Sequence, residues 1–317
     1  MSKILVTGAT GFVGKALVPA LVHAGHEVTC AVTRKVDWLN TEQYLINRIE
    51  DPQDWSNALS GVEVVIHLAA RVHIMNDKSL SPIDEYCKVN SEATKALAEQ
   101  AALCRVKRFI YLSSIKVNGE FTNGTAFTEE VIALPEDPYA LSKYYAEQHL
   151  QEICQNTGME YVILRPPLIY GPGVKANFLK MIKLVHKNVP MPFRNVKNRR
   201  SFLYLDNLIS ALCLIVEHEK AANHVFLISD NEALSISQLL KLIATQFQQN
   251  PRLFPVPIGL ISVFLKLVGL NGVYIRLFSS LELSTNKIKS ILSWSPIYTA
   301  EEGIARTITW YKIDRAN

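Results

Sequence analysis

Three glycines, Gly8, Gly11 and Gly14, set the tightest limit on what this chain can fold into. They stand in the run Thr7-Gly8-Ala9-Thr10-Gly11-Phe12-Val13-Gly14. That run follows a short apolar stretch, Lys3–Thr7, which reads as a buried strand, and it opens a helical pattern over Val13–Ala24. Glycine allows a tight turn and lets backbone approach a pyrophosphate closely. The helix start then presents unpaired N–H groups and a positive dipole end to the anion. Three glycines alone are a weak signal; at a strand–helix junction they predict a dinucleotide site built on Gly8, Gly11, Phe12, Val13 and Gly14.

The next stretches keep the same rhythm. Apolar runs at Glu27–Val32, Val64–Leu68, Phe109–Leu112 and Tyr161–Leu164 read as strands. Long helical patterns at Asp84–Cys104 and Tyr139–Asn156 lie between them. Such alternation predicts a parallel sheet with helices on both faces and right-handed crossovers. Beyond Arg165, five prolines (166, 167, 172, 190 and 192) punctuate shorter elements. A strand is expected near Val225–Ile228, with helices at Ser237–Gln248 and Ile258–Val268. This second half reads as a cap packed on the first.

Composition narrows the partners. The formal net charge is only +4 and Lys and Arg form no tract, so nucleic acid is not expected. Five cysteines, an odd number with no C-x-x-C pair, point to reduced thiols rather than disulfides or a metal site. The apolar stretch Pro257–Val268 is too short to span a bilayer and Lys266 interrupts it, so no stable membrane insertion is expected. No leader precedes the first strand, and a cytoplasmic location is expected.

The end of the second strand reads Cys30-Ala31-Val32-Thr33-Arg34-Lys35. A carboxylate there would hold a ribose 2′-hydroxyl; instead Arg34 stands ready for a 2′-phosphate. NADP(H) is therefore favoured, with NAD(H) as the alternative. Tyr139 and Lys143 form a Y-x-x-x-K pair on one face of a helix. An ammonium near the phenol is expected to lower its pKa and make Tyr139 a usable acid or base. Ser113 and Ser114 end the strand Phe109–Leu112, at the carboxyl edge where such sheets bind ligands.

The glycine turn, the serine at a strand end and Y-x-x-x-K occur in this order in the extended short-chain dehydrogenases/reductases. The chain resembles their NAD-dependent epimerase/dehydratase branch over nearly its whole length. The resemblance also rests on His67-Leu68-Ala69-Ala70, Val89-Asn90, Arg165-Pro166-Pro167-Leu168-Ile169-Tyr170-Gly171-Pro172 and Trp294-Ser295-Pro296. It implies an α/β fold: a doubly wound parallel-sheet Rossmann domain over 1–170, with 202–230 returning to it. A smaller C-terminal α/β substrate-binding cap would comprise 171–201 and 231–317. It further implies that Ser114, three residues before Val117, is the catalytic serine beside Tyr139 and Lys143. Leu68, Ala69, Ala70 and Pro166 would line the cofactor, with Lys143 on the nicotinamide ribose. One departure is Arg48, which aligns where the family usually places an adenine-touching Asp.

Several runs are similar to bacterial sugar-nucleotide members: 113–120, 171–178 and 198–202. The nearest resemblance is to UDP-N-acetylhexosamine 4-epimerases and to the 4-keto reductases of N-acetylquinovosamine synthesis. By that resemblance Asn177 and Phe178 meet the uridine diphosphate, Pro192 and Phe193 flank the uracil, and Arg200 holds the diphosphate. The planar guanidinium suits that last task. Arg276 is a second candidate phosphate ligand. The acidic pair of the 4,6-dehydratases is absent from Ser114-Ile115-Lys116, which disfavours dehydration. The expected activity is oxidoreduction at C4 of a UDP-linked hexose in surface-polysaccharide synthesis. Reduction of a 4-keto-6-deoxy sugar by NADPH leads, because of Arg34. The alternatives are 4-epimerisation with retained NAD, reduction of a non-nucleotide ketone, and a non-catalytic dinucleotide sensor. The family pairs its long helices between subunits, so a homodimer is expected. His67 and His73 read as structural.

Overall fold

A computed structural model describes residues 1–72, 81–131, 135, 137–257, 259 and 271–316. The expected helix at Ile258–Val268 and the reading of His73 lie outside the described residues, save Gly259.

Seven strands form one parallel sheet: β1 (Lys3–Thr7), β2 (Glu27–Val32), β3 (Glu42–Leu45), β4 (Val64–His67), β5 (Arg108–Leu112), β6 (Glu160–Arg165) and β9 (His224–Leu227). The spatial order is β3-β2-β1-β4-β5-β6-β9. The chain winds outward in both directions from the β1–β4 pair, so the crevice at their carboxyl ends is the topological switch point. Register places those ends in one row: Thr7 faces His67, His67 faces Tyr111, and Leu112 faces Leu164.

Period-two alternation sends successive side chains to opposite faces. Val6, Ile66 and Ile110 pack against α1 (Phe12–His23) and α6 (Leu205–Glu217). Leu5, Val65, Phe109 and Tyr111 pack against α3 (Ala93–Leu103) and α4 (Pro138–Thr157). The Asp84–Cys104 pattern resolves into α2 (Pro82–Cys87), a π-helical turn at Lys88–Glu92, and α3. Strand β3 was not expected. Its sequence, EQYL, pairs only with β2, at the edge of the sheet, and its side chains are exposed or half-buried. An edge strand needs no apolar alternation, so it leaves no pattern to read.

The second half carries a small sheet, β10-β8-β7, from β7 (Leu168–Tyr170), β8 (Arg200–Tyr204) and β10 (Ala233–Leu234). Around it pack α5 (Ala176–His186), α7 (Ile236–Gln246) and α10 (Ala300–Ala316), with Tyr170, Phe178, Ile182, Leu240 and Ile308 buried together. Two further helices are α8 (Asn271–Phe278) and α9 (Asn286–Leu292).

A buried carboxylate joins the two parts. Asp230 accepts from the Tyr204 backbone N–H (2.8 Å), Asn207 Nδ2 (2.8 Å) and Tyr170 Oη (3.0 Å). Asn207 Oδ1 in turn accepts from the N–H groups of Ile297 and Tyr298. Burial pushes Asp230 up to about 6, against the pull of these donors.

Candidate active site at the carboxyl edge of the sheet

The glycine turn has the shape a dinucleotide requires. Gly8 adopts φ +71°, and a Cβ there would lie 2.7 Å from the Ala69 nitrogen. A Cβ on Gly14 would lie 2.4 Å from the Gly8 carbonyl oxygen, so only glycine lets α1 start this close to β1. Gly11 caps α1 without a side chain, which leaves the first-turn N–H groups of Phe12, Val13 and Gly14 for an anion. Across the switch point, Leu68 N–H donates to Thr7 O (3.2 Å) and Ala69 N–H to Thr7 Oγ1 (3.3 Å). Leu68, Ala69 and Ala70 are half-buried beside the turn. These residues fit a dinucleotide pyrophosphate.

The structure brings the predicted triad together. Asp137 caps α4, accepting from Ala140 N–H at 3.0 Å, and Pro138 occupies the first turn. Tyr139 thus sits at the start of α4, with Lys143 and Glu147 one and two turns on along the same face. The Ser114 hydroxyl lies near enough to the Tyr139 phenol to pull its pKa down. Ser114 Oγ also accepts from Lys116 N–H (3.3 Å), and Ile115 N–H donates to Pro166 O (2.9 Å). Lys143 is buried, donates from Nζ to Leu112 O (2.8 Å), and lies 4.5 Å from the centre of the Tyr111 ring.

The ionisation states correct one expectation. Tyr139 is not lowered: burial, the largest influence, pushes it up to about 12, while the Ser114 hydroxyl pulls it down. Lys143 itself is pushed down to about 7 by burial, with Glu147 pulling it back up. The pairing on one face was legible; the desolvation that outweighs it was not.

Other expected residues fall out differently. Arg34 is exposed and has no ion pair among the described residues, as a 2′-phosphate reader would require. Arg48 is also exposed; its N–H donates to Asp51 Oδ2 (3.2 Å) and its guanidinium lies 3.9 Å from Glu50. Beside it, Thr33, Tyr44, Ile46, Asn47, Gln53 and Asp54 line a recess at the ends of β2 and β3. Phe178 is corrected: its side chain is 2% exposed and stacks on Tyr170 at 5.0 Å, deep in the cap core. What it presents outward is the first-turn backbone of α5, beside half-buried Asn177. Pro192 and Phe193 are half-buried, and Phe193 leans on Phe278 at 5.7 Å. Arg200 Nη1 donates to Ser279 O (2.8 Å) and Ile275 O (3.2 Å), so part of the guanidinium holds the end of α8. Arg276 falls in α8, but the expectation for its side chain lies outside the described residues.

Of the polar residues around the site, His67 was expected to be structural and Asn90 stands in the Val89-Asn90 motif, whereas Glu147 escaped sequence reading. His67, at the end of β4, bonds Thr7 Oγ1 (2.7 Å) through Nδ1 and Thr94 Oγ1 (3.0 Å) through Nε2; burial pushes it down to about 3, so it is neutral and structural. Asn90, in the π turn, accepts from Arg71 N–H (2.8 Å) and donates to Ser142 Oγ (3.0 Å), tying the loop after β4 to α4. Glu147 and Arg165 form an ion pair, 2.5 Å apart and wholly buried. The helical spacing from Lys143 could have found Glu147; nothing local marks its partner.

With the geometry in place, comparison with known proteins identifies the group. The NAD dependent epimerase/dehydratase family matches residues 4–229. The chain belongs to that family. The UDP-glucose 4-epimerase of Vibrio cholerae is 40% identical over 308 residues, covering 96% of this chain and 94% of its own. A UDP-glucose 4-epimerase structure from Thermotoga maritima with UDP-glucose is 26% identical, with TM-score 0.79 and 99% coverage of both chains. MoeE5 in complex with UDP-glucuronic acid and NAD shares the fold, with TM-score 0.80 at 22% identity over 98% of this chain and 99% of that one. The Rossmann-like α/β fold and the enzymatic nature of the chain follow. Lys116 Nζ pairs with Glu120 (2.9 Å) and Asp137 (3.2 Å), beside the serine. No described helix is long and apolar enough to cross a membrane.

Proposed function

We propose that this enzyme exchanges a hydride between C4 of a UDP-linked hexose or N-acetylhexose and a nicotinamide dinucleotide. The observation that carries the reading is the hydroxyl pair Ser114–Tyr139 at the end of β5, with buried Lys143 one turn along α4. A bound nicotinamide supplies the hydride acceptor and donor. The chain's own residues manage the proton. In the oxidative direction Tyr139 Oη takes the proton of the C4 hydroxyl while Ser114 Oγ holds that oxygen; in the reductive direction Tyr139 returns it. The cationic Lys116 stands beside the serine, where a dehydratase needs an acid, so elimination of water at C5–C6 is not supported.

Two forms of this chemistry are open to the site. The 40% identity to a UDP-glucose 4-epimerase supports 4-epimerisation, in which the same dinucleotide removes and returns the hydride. Exposed Arg34, with no carboxylate at the end of β2, supports NADP(H) and net reduction of a 4-keto-6-deoxy sugar. The proposal extends to a cap formed by 171–201 and 231–317, with Asn177, Pro192, Phe193 and Arg200 toward the nucleotide. It also includes a homodimer through the α2–α4 side and a cytoplasmic location.

The deciding experiment mixes purified protein with UDP-N-acetylglucosamine, UDP-glucose and a UDP-4-keto-6-deoxy-N-acetylhexosamine, following NADPH absorbance and product sugars. Interconversion of C4 epimers without net loss of reduced dinucleotide establishes the epimerase. Stoichiometric NADPH loss with the keto sugar establishes the reductase. No turnover of any UDP-sugar removes the reading.

A further inference from the structure

Behind the serine lies a polar network buried between the ends of β5 and β6 and the middle of α4. Ser113, next to Ser114, donates from Oγ to Glu147 Oε1. Glu147 is 0% exposed and takes the Arg165 guanidinium through both carboxylate oxygens, from Nε at 3.0 and 3.2 Å and from Nη2 at 2.5 Å. Arg165, 2% exposed, also donates from Nη1 to Asn118 Oδ1 at 3.1 Å. Asn118 Nδ2 then holds the carbonyls of Thr128 (2.8 Å) and Val131 (2.6 Å). Four segments meet here: the ends of β5 and β6, the middle of α4, and the loop after Val117.

We propose that Glu147, clamped between Ser113 and Arg165, is the positioning residue that sets where Ser114 and Lys143 stand. This rests on the hydride-transfer reading above for its consequence in turnover. A buried ion pair is a poor source of stability, because desolvating two charges offsets most of their attraction. Its worth here is geometric. Tyr139, Lys143 and Glu147 lie on one face of α4; Lys143 bonds β5 through Leu112 O, and Glu147 bonds both Ser113 after β5 and Arg165 at the end of β6. Fixing it fixes the rotation of α4 relative to the end of β5, and hence the Ser114–Tyr139 contact and the reach of Lys143 Nζ to Leu112 O.

The same carboxylate acts on charge. Lys143 faces the Tyr111 ring and Leu112 carbonyl of β5, neutral His67 of β4, and Tyr139 and Glu147 of its own helix; Arg165 of β6 stands behind Glu147. Glu147 is the one anion in that set, and it favours the ammonium form. Loss of its charge lowers the pH at which Lys143 loses its proton.

The test uses two variants of the full chain, Ser113→Ala and Glu147→Gln, in two assays. The first is NADH and NADPH binding by fluorescence from pH 5.5 to 9.5, which needs no sugar. The second is turnover of the UDP-sugar on which the wild type acts. Ser113→Ala keeps the ion pair intact and is expected to fold; its kcat falls about tenfold with KM unchanged, as a small misplacement of the serine dictates. Glu147→Gln shifts the alkaline limb of dinucleotide binding down by about one pH unit. Should Glu147→Gln fail to fold, the kcat-against-KM split of Ser113→Ala decides. If Ser113→Ala keeps kcat within about twofold and the pH limb of folded Glu147→Gln does not move, the network is structural filler and the proposal is overturned. A pH limb that moves in Glu147→Gln, in a protein that turns over no UDP-sugar, supports the positioning role while the substrate reading fails.

Discussion

The first half of the molecule and the second present their candidate ligands by opposite means. Around β1 and β4 the site is built largely from backbone: glycines that admit close approach, a helix start without a side-chain cap, and the hydrogen bonds from the Leu68 and Ala69 N–H groups to Thr7. In the second half the expected ligands are side chains, and the fold has already engaged two. Phe178 is a core residue, and Arg200 holds the carbonyls of Ile275 and Ser279. Backbone geometry follows from local sequence and cannot be diverted. A side chain's availability depends on every neighbour that competes for it. The shape of the glycine turn is therefore readable in advance, and the engagement of side chains such as Arg200 is not.

The sharpest way to break this contrast is at the point where both halves converge. Tyr139→Phe removes the proton carrier and nothing else; kcat should fall by about 10²–10⁴-fold while dinucleotide affinity holds. Full activity in that variant would remove Tyr139 from the chemistry.

Asp230 at the joint comes next. Its folded value of about 6 exceeds the ordinary 3.8, so between about pH 4 and 6 the folded state binds more protons than the unfolded state. Stability from this group is present at low pH and is lost as pH rises through that window, by at most ~3 kcal/mol for a shift of about two units. Asp230→Asn should abolish that loss. Neutral His67 contributes the opposite slope in both proteins, so the difference between their denaturant-derived stabilities isolates Asp230. Parallel curves from pH 4 to 6.5 would show that Asp230 titrates normally.

Arg200→Ala sharpens the cap side. A diphosphate ligand predicts KM for the UDP-sugar raised by about tenfold or more, from the loss of a charge-assisted hydrogen bond. A lower melting temperature with unchanged KM would mean that Arg200 serves only α8. The smallest effect is expected at exposed Arg34. Arg34→Ala should weaken NADP(H) binding by about fivefold and leave NAD(H) binding unchanged, a surface charge contact of ~1 kcal/mol. Equal losses for both dinucleotides would remove the 2′-phosphate reading.

The contrast also sorts what could be read beforehand. Lys3–Thr7 and Glu27–Val32 coincide with β1 and β2, because buried parallel strands are continuous apolar runs. Tyr139–Asn156 misses the ends of α4 by one residue each. Strand β3 escaped because an edge strand with half-exposed side chains carries no alternation. Ser114, Tyr139 and Lys143 were legible as residues, yet the ionisation of the pair was inverted, since burial is a property of everything packed around a helix.

Sequence alone determined the strand–glycine–helix junction, the parallel order of the first strands and the placing of Tyr139 and Lys143 on one face of a helix. Each is encoded within a few positions, by turn geometry, by apolar continuity or by the four-residue repeat of a helix. Only the tertiary structure decided that Lys143 would be pushed down to about 7 and Tyr139 up to about 12, that Glu147 would meet Arg165 across 18 positions, and that Phe178 would be core. Those outcomes depend on desolvation and on partners distant in the chain, and no local pattern records either.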